Sequence, residues 1–130
     1  MGFWNRLLGK DEADDDTPVP DKVLNDGVRR QQLTELEQAL QSLVDAMEGA
    51  GDRMENPGWR GRARDYSYAL GGTRMLLRQP RLTKEPLFEL ITTIRPLYRG
   101  EAPAEYAELA PANDRLVGAL AALEEPAPGE

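Results

Sequence analysis

The side chains best equipped for chemistry in this sequence are arginines. Arg60, Arg64, Arg74 and Arg78 fall at spacings that, at 100° per residue, put them within about 80° of one another on a helix. Arg95 and Arg99 repeat the spacing one helix later. A ridge of guanidiniums can hold phosphates, acidic lipid headgroups or an acidic protein segment through forked, charge-assisted hydrogen bonds. The competing use is internal. Residues 11–52 hold twelve acidic residues against three basic ones, a net of −9, and residues 53–99 hold ten basic against four acidic, a net of +6. Residues 100–130 return to seven acidic against one basic, a net of −6. A chain that segregates its charges can neutralise one block with another, and internal pairing is the favoured expectation over an external acidic partner.

Other chemistries lack their reagents. There is no histidine and no cysteine, which removes the commonest general base near neutral pH, the thiol nucleophile and the usual zinc ligands. Glu35 and Glu37 do not share a helical face. Glu105 and Glu108 are three apart, but a solvated surface accounts for them. The acidic run Asp11, Glu12, Asp14, Asp15, Asp16 is consecutive, without the alternate spacing and central glycine of a calcium loop. Gly71-Gly72 is not followed by the Lys-Ser/Thr of a phosphate loop. No catalytic, cofactor-binding or metal-binding residue is expected, and a non-enzymatic protein is. Trp59 among Arg60, Arg62 and Arg64 could stack on a single-stranded nucleic acid. However, Trp59 also opens an apolar stripe, and a net charge of −7 with a pI near 4.7 opposes general nucleic-acid binding. Nucleic acid or another polyanion on the arginine ridge is kept as the alternative function.

The first ten residues form a second candidate site. On a helix, Phe3, Trp4, Leu7 and Leu8 share a face while Arg6 and Lys10 lie away from it. That is the pattern of a short helix lying in a membrane interface. The segment resembles the amphipathic openings of several bacterial peripheral membrane proteins, over ten residues and without identifying a family. The competing uses are docking on a partner or on the protein's own bundle, or a frayed end. Two positive charges bind lipid weakly, so stable attachment needs a second signal or oligomerisation. Arg6 stands where a myristoylation motif has Ser or Thr. No run reaches the roughly 18 apolar residues of a spanning helix, and no secretory leader is visible. The expected location is the cytoplasm, at the inner face of the membrane if the anchor acts.

Stepping along the chain, residues 11–20 make an acidic linker closed by Thr17-Pro18-Val19-Pro20, expected to be disordered. A first long helix is expected from Asp21, as cap, to about Gly49, with Leu33, Leu36, Leu40, Leu43 and Met47 on one stripe. Gly49-Ala50-Gly51 should end it with left-handed backbone. Ala39, Val44 and Ala46 widen the apolar face, which favours a bundle over a two-stranded zipper. A second helix should run from Trp59 towards Leu77, with Gly71-Gly72 marking a close approach of two backbones. A third should start after Thr83 and reach about Tyr98, bent or ended near Ile94 by Pro96, and a fourth region should be split by Pro111 into a short turn and a main helix from Ala112 to Glu124. Residues 125–130 read as a disordered tail. The expected fold is all-α: a small three- or four-helix bundle over residues 21–124, behind the amphipathic segment 1–10 and the acidic linker 11–20. The expected role is a protein-interaction module with a protein partner, a membrane surface as a further contact and homo-oligomerisation open to it.

Overall fold

In the computed structural model, residues 23–130 are described; the amphipathic segment 1–10 and the linker 11–20 lie outside them. The described chain is all-α, with four helices and no strand. These are α1 (Asp26–Glu48), α2 (Pro57–Arg78), α3 (Lys84–Thr93) and α4 (Ala110–Glu124), with 3₁₀ turns at Gly51–Glu55 and Ala104–Leu109.

The stripe on α1 is the centre of the core. Leu33, Leu36, Leu40, Leu43 and Met47 are all fully buried, and Ala39 and Val44 are buried beside them. Ala46 is exposed, so the face widens towards Ala39 and Val44 rather than on both sides. A face of that width needs two neighbours, and α2 and α4 pack on its flanks while α3 spans α2 and α4. α2 contributes Trp59, Ala63, Tyr66 and Leu70. α3 contributes Leu87 and Ile91, and α4 contributes Leu116, Leu120 and Leu123. The Trp59 indole N–H donates to the Met47 carbonyl at 2.9 Å, at the end of α1, where that oxygen also accepts the Ala50 N–H at 3.3 Å. Its ring stacks on Tyr106 at 5.6 Å between centroids. Trp59 is a core residue.

Several boundaries differ from expectation for local reasons. α1 starts at Asp26, not Asp21, because Asn25 has extended backbone and its side chain accepts the Val28 N–H at 3.2 Å. Gly49 ends α1 with ordinary negative φ; the left-handed residue is Gly51, at φ 62°. α3 stops at Thr93, as the proline two residues beyond Ile94 requires. The fourth region divides as expected into a short 3₁₀ turn, Ala104–Leu109, and a main helix; α4 begins at Ala110 rather than Ala112, with Pro111 in its first turn, where its missing N–H has no partner to lose.

The segment 125–130 is the largest departure. Instead of a disordered tail, it folds back over the start of α1, and the Glu130 carboxylate meets Arg29 at 2.6 Å. The Arg29 side chain is 1% exposed and that of Glu130 8%. All five guanidinium N–H groups are used: on Glu130, on Gln32 Oε1, and on the Leu123 and Glu125 carbonyls. Those two carbonyls belong to the end of α4, where helical partners run out, so Arg29 serves as a cationic cap. Glu130 also accepts N–H groups from Asn25 and Ala127. The Arg29 hydrogen bond is the main reason its carboxyl is held down at about 2; burial pushes the other way, and the two backbone donors help Arg29.

Candidate functional site

The arginine ridge does not stand as a free row. Arg74 is turned onto α1, where its Nε donates to Glu37 at 2.9 Å and its Nη2 to Gln41. Arg60 donates to the Met54 carbonyl at 3.0 Å, in the turn before its own helix. Arg64 and Arg78 are exposed and make no ion pair among the described residues. Arg95 and Arg99 do not share a helical face, because α3 has ended at Thr93 before either is reached. Arg95 is an exposed residue of the irregular strip that follows α3, and its carbonyl accepts the Tyr66 hydroxyl. Of the acidic residues on α1, Glu37 meets the ridge, whereas Glu35 pairs with Arg115 of α4 at 3.4 Å. The docking residues Phe3, Trp4, Arg6, Leu7, Leu8 and Lys10 lie outside the described chain.

What the fold brings together instead is a groove along the outer side of α2 and α3. It consists of two adjoining depressions of about 690 and 570 Å³ that share Leu90 and Thr93. Ala69, Gly72 and Leu76 of α2 and Leu90 of α3 form its floor, and Ile94 closes one end of it. Tyr68 and Met75 stand on the α2 rim, 74% and 58% exposed. They are seven residues apart, two helical turns, so both point the same way. Arg62 and Arg95 flank one end and Arg81 the other, with Asp65 and Glu89 between them.

Gly72 determines the depth of this groove. A Cβ there would lie 3.1 Å from Leu90 Cδ1, so the missing side chain lets Leu90 pack close against α2. Gly71 has nothing within 4 Å of its would-be Cβ. The expected close approach is therefore made at Gly72, by a side chain rather than a second backbone, and α2 continues through both glycines as one helix.

The strip after α3 is held by side chains in place of helical hydrogen bonds. Buried Asn113 accepts the Leu97 N–H at 2.8 Å and donates to the Tyr98 carbonyl at 3.2 Å. The Arg62 guanidinium donates to the Leu97 carbonyl at 3.4 Å. Burial, above all, raises the Tyr66 hydroxyl to about 12. It remains protonated near neutral pH and acts as a donor to the Arg95 carbonyl, not as a base. Among the described residues no group of three carboxylates is placed to hold a metal ion, and no helix is long and apolar enough to cross a membrane.

The groove was accessible to sequence reasoning in part. Tyr68 and Met75 are apolar residues two turns apart, outside the stripe of Trp59, Ala63, Tyr66 and Leu70, and a second apolar face on one helix is a signal. Arg29 also had one, since it lies four residues before Leu33 in the register of the buried stripe. Asn113 had the same one, since it lies between Leu109 and Leu116 in the register of the buried α4 stripe, but its partners, backbone atoms of the strip after α3, were not legible. No protein-family model matches the chain, and no match was found among curated proteins or solved structures.

Proposed function

We propose that this protein is a non-enzymatic helical interaction module. In this reading its α2–α3 groove receives an amphipathic helix with acidic flanks from a partner protein. Residues 1–10 attach the module to the inner face of the cytoplasmic membrane. The observation that carries the docking part is the pair Tyr68 and Met75, exposed on one rim of a groove that has Ala69, Leu76 and Leu90 in its floor and polar side chains around them. Large apolar side chains grouped on a rim with polar surroundings mark interaction surfaces, and a helix in an apolar groove is a recurrent mode of recognition. Arg62, Arg95 and Arg81 at the two ends favour a ligand with carboxylates at its ends. A second copy of the same face would bring arginines onto arginines, so a different partner fits better.

The test is affinity capture from the native cell with wild type, Met75→Glu, and Arg115→Glu on α4 as a surface control. The reading expects a partner retained by wild type and Arg115→Glu and lost with Met75→Glu. An identical captured set for all three proteins removes the groove as a docking site. The membrane part has its own measurement, co-sedimentation with anionic vesicles. Binding should fall when residues 1–10 are deleted, and equal binding with and without them excludes the anchor. Binding of nucleic acid or another polyanion on the ridge is the weaker alternative. With Arg74 engaged by Glu37, the exposed Arg64 and Arg78 are about 21 Å apart along the helix. Unchanged DNA and RNA mobility at low salt with micromolar protein would discard it.

A further inference from the structure

Two features of the groove point to a ligand already present in this chain. The first is where the described chain begins. Leu24 lines a small cavity together with Lys84 and Phe88 of α3, and Arg30 donates to the Leu77 and Gln79 carbonyls at the end of α2. Residues 1–22 therefore join the bundle beside the end of the groove that Arg81 flanks. The second is charge. From Arg78 to Lys84 there are three cations, Arg78, Arg81 and Lys84, and no carboxylate. The residues that lead into this corner include the chain's densest acidic run, Asp11, Glu12, Asp14, Asp15 and Asp16.

We propose that the α2–α3 groove is a seat for this chain's own Phe3, Trp4, Leu7 and Leu8, with the acidic run Asp11–Asp16 drawn onto Arg78, Arg81 and Lys84. The inference rests on the groove being the docking site of the module. Its dimensions suit it. The groove follows α2 from Arg62 to Gln79, about 25 Å at helical rise, and residues 3–8 need about 9 Å of it as a helix. The fourteen residues from Gly9 to Lys22 reach up to about 46 Å when extended, enough to enter from the Arg81 end with slack. Tethering makes the encounter intramolecular, which raises the effective concentration of the segment at the groove. The same four apolar side chains cannot occupy the groove and a lipid interface together. Groove occupancy and membrane attachment therefore exclude each other, and a partner that takes the groove frees the anchor.

The natural absence of cysteine allows a direct test in the full-length chain. Leu7→Cys is combined with Met75→Cys, and in a second protein with Tyr68→Cys, so that either helix direction is sampled. Leu7→Cys with Ser42→Cys, an exposed position on α1, is the reference. At micromolar protein under mild oxidation, at least one groove pair should form a monomeric disulfide about tenfold faster than the reference pair. Replacing Asp14, Asp15 and Asp16 by Asn should slow that bridging. Equal rates for groove and reference pairs overturn the proposal. Disulfide-linked dimers without monomeric bridging also overturn it and assign the groove to a second copy. If Met75→Glu abolishes partner capture while Leu7→Cys does not bridge to the groove, the docking site stands and its occupation by this chain is refuted.

Discussion

At the scale of single residues, the most sensitive polar contact is the charge that sits at a core position, Arg29. Arg29 occupies the register of the Leu33 stripe and would be costly there alone, but every one of its donors has a partner. Removing Glu130 leaves that buried guanidinium without its anion, beside a cavity of about 180 Å³. Breaking one side of a buried pair costs about 3 kcal/mol, and Glu130→Gln is expected to lower unfolding free energy by about that much in urea titrations. The pH dependence has a definite sign. Because folding lowers the Glu130 carboxyl from 4.5 to about 2, its contribution is present in full above about pH 4.5 and is lost as pH falls through about 2. Thermal midpoints of the wild type should therefore decline over that window, and Glu130→Gln should show a shallower decline. Equal slopes would mean that other carboxylates govern acid unfolding. Asn113 makes a parallel case. Its side chain carries the backbone of a strip that has no helix to satisfy it, so Asn113→Ala should cost about 1–3 kcal/mol.

At the scale of elements, the two adjacent glycines of α2 separate two causes that one sequence pattern conflates. Both burden the helix by roughly 1 kcal/mol relative to alanine. Gly71→Ala is expected to recover about 0.5–1 kcal/mol, since nothing lies near the new methyl. Gly72→Ala should recover less or lose stability, because Leu90 must shift from a 3.1 Å contact. Urea unfolding of the two variants measures the difference directly, and equal gains would show that Leu90 yields at no cost. The helices themselves followed from periodicity and breakers: the stripe on α1 and the stop before Ile94 imposed by Pro96. Boundaries were less readable. Asn25 displaces Asp21 as cap, and α4 begins at Ala110, two residues before the expected Ala112. In both, the deciding factor is the backbone conformation just outside the helix, which local composition does not specify.

At the scale of the whole molecule, charge segregation is used between elements but is not what holds them. Arg74–Glu37, Arg53–Glu108 and Arg115–Glu35 join parts distant in sequence. Each is at least partly solvent-exposed, and such pairs contribute about 0–1 kcal/mol apiece. Raising salt from dilute buffer to molar concentration should consequently change unfolding free energy by less than about 2 kcal/mol, with the apolar core unaffected. Bridging of Leu7→Cys to the groove should be far more salt-sensitive, because its acidic run works through exposed charges. Comparing urea unfolding and bridging rates across the same salt series checks both. A parallel collapse of stability would mean that the ion pairs, not the core, organise the bundle.

The sequence by itself determined the all-α class, the buried stripe and the lack of histidine or thiol chemistry, because periodicity and composition act within a few residues of where they are read. It also contained the charge blocks, though not their pairing. Which arginine of the ridge meets Glu37, why residues 125–130 close over Arg29, and how Tyr68 and Met75 come to border a groove depend on the placement of α3. The groove lies where ten-residue α3 runs beside twenty-two-residue α2, along the line on which Leu90 meets Gly72. Helix lengths and crossings are tertiary quantities, set by how α1 is sandwiched and by the one glycine that admits Leu90.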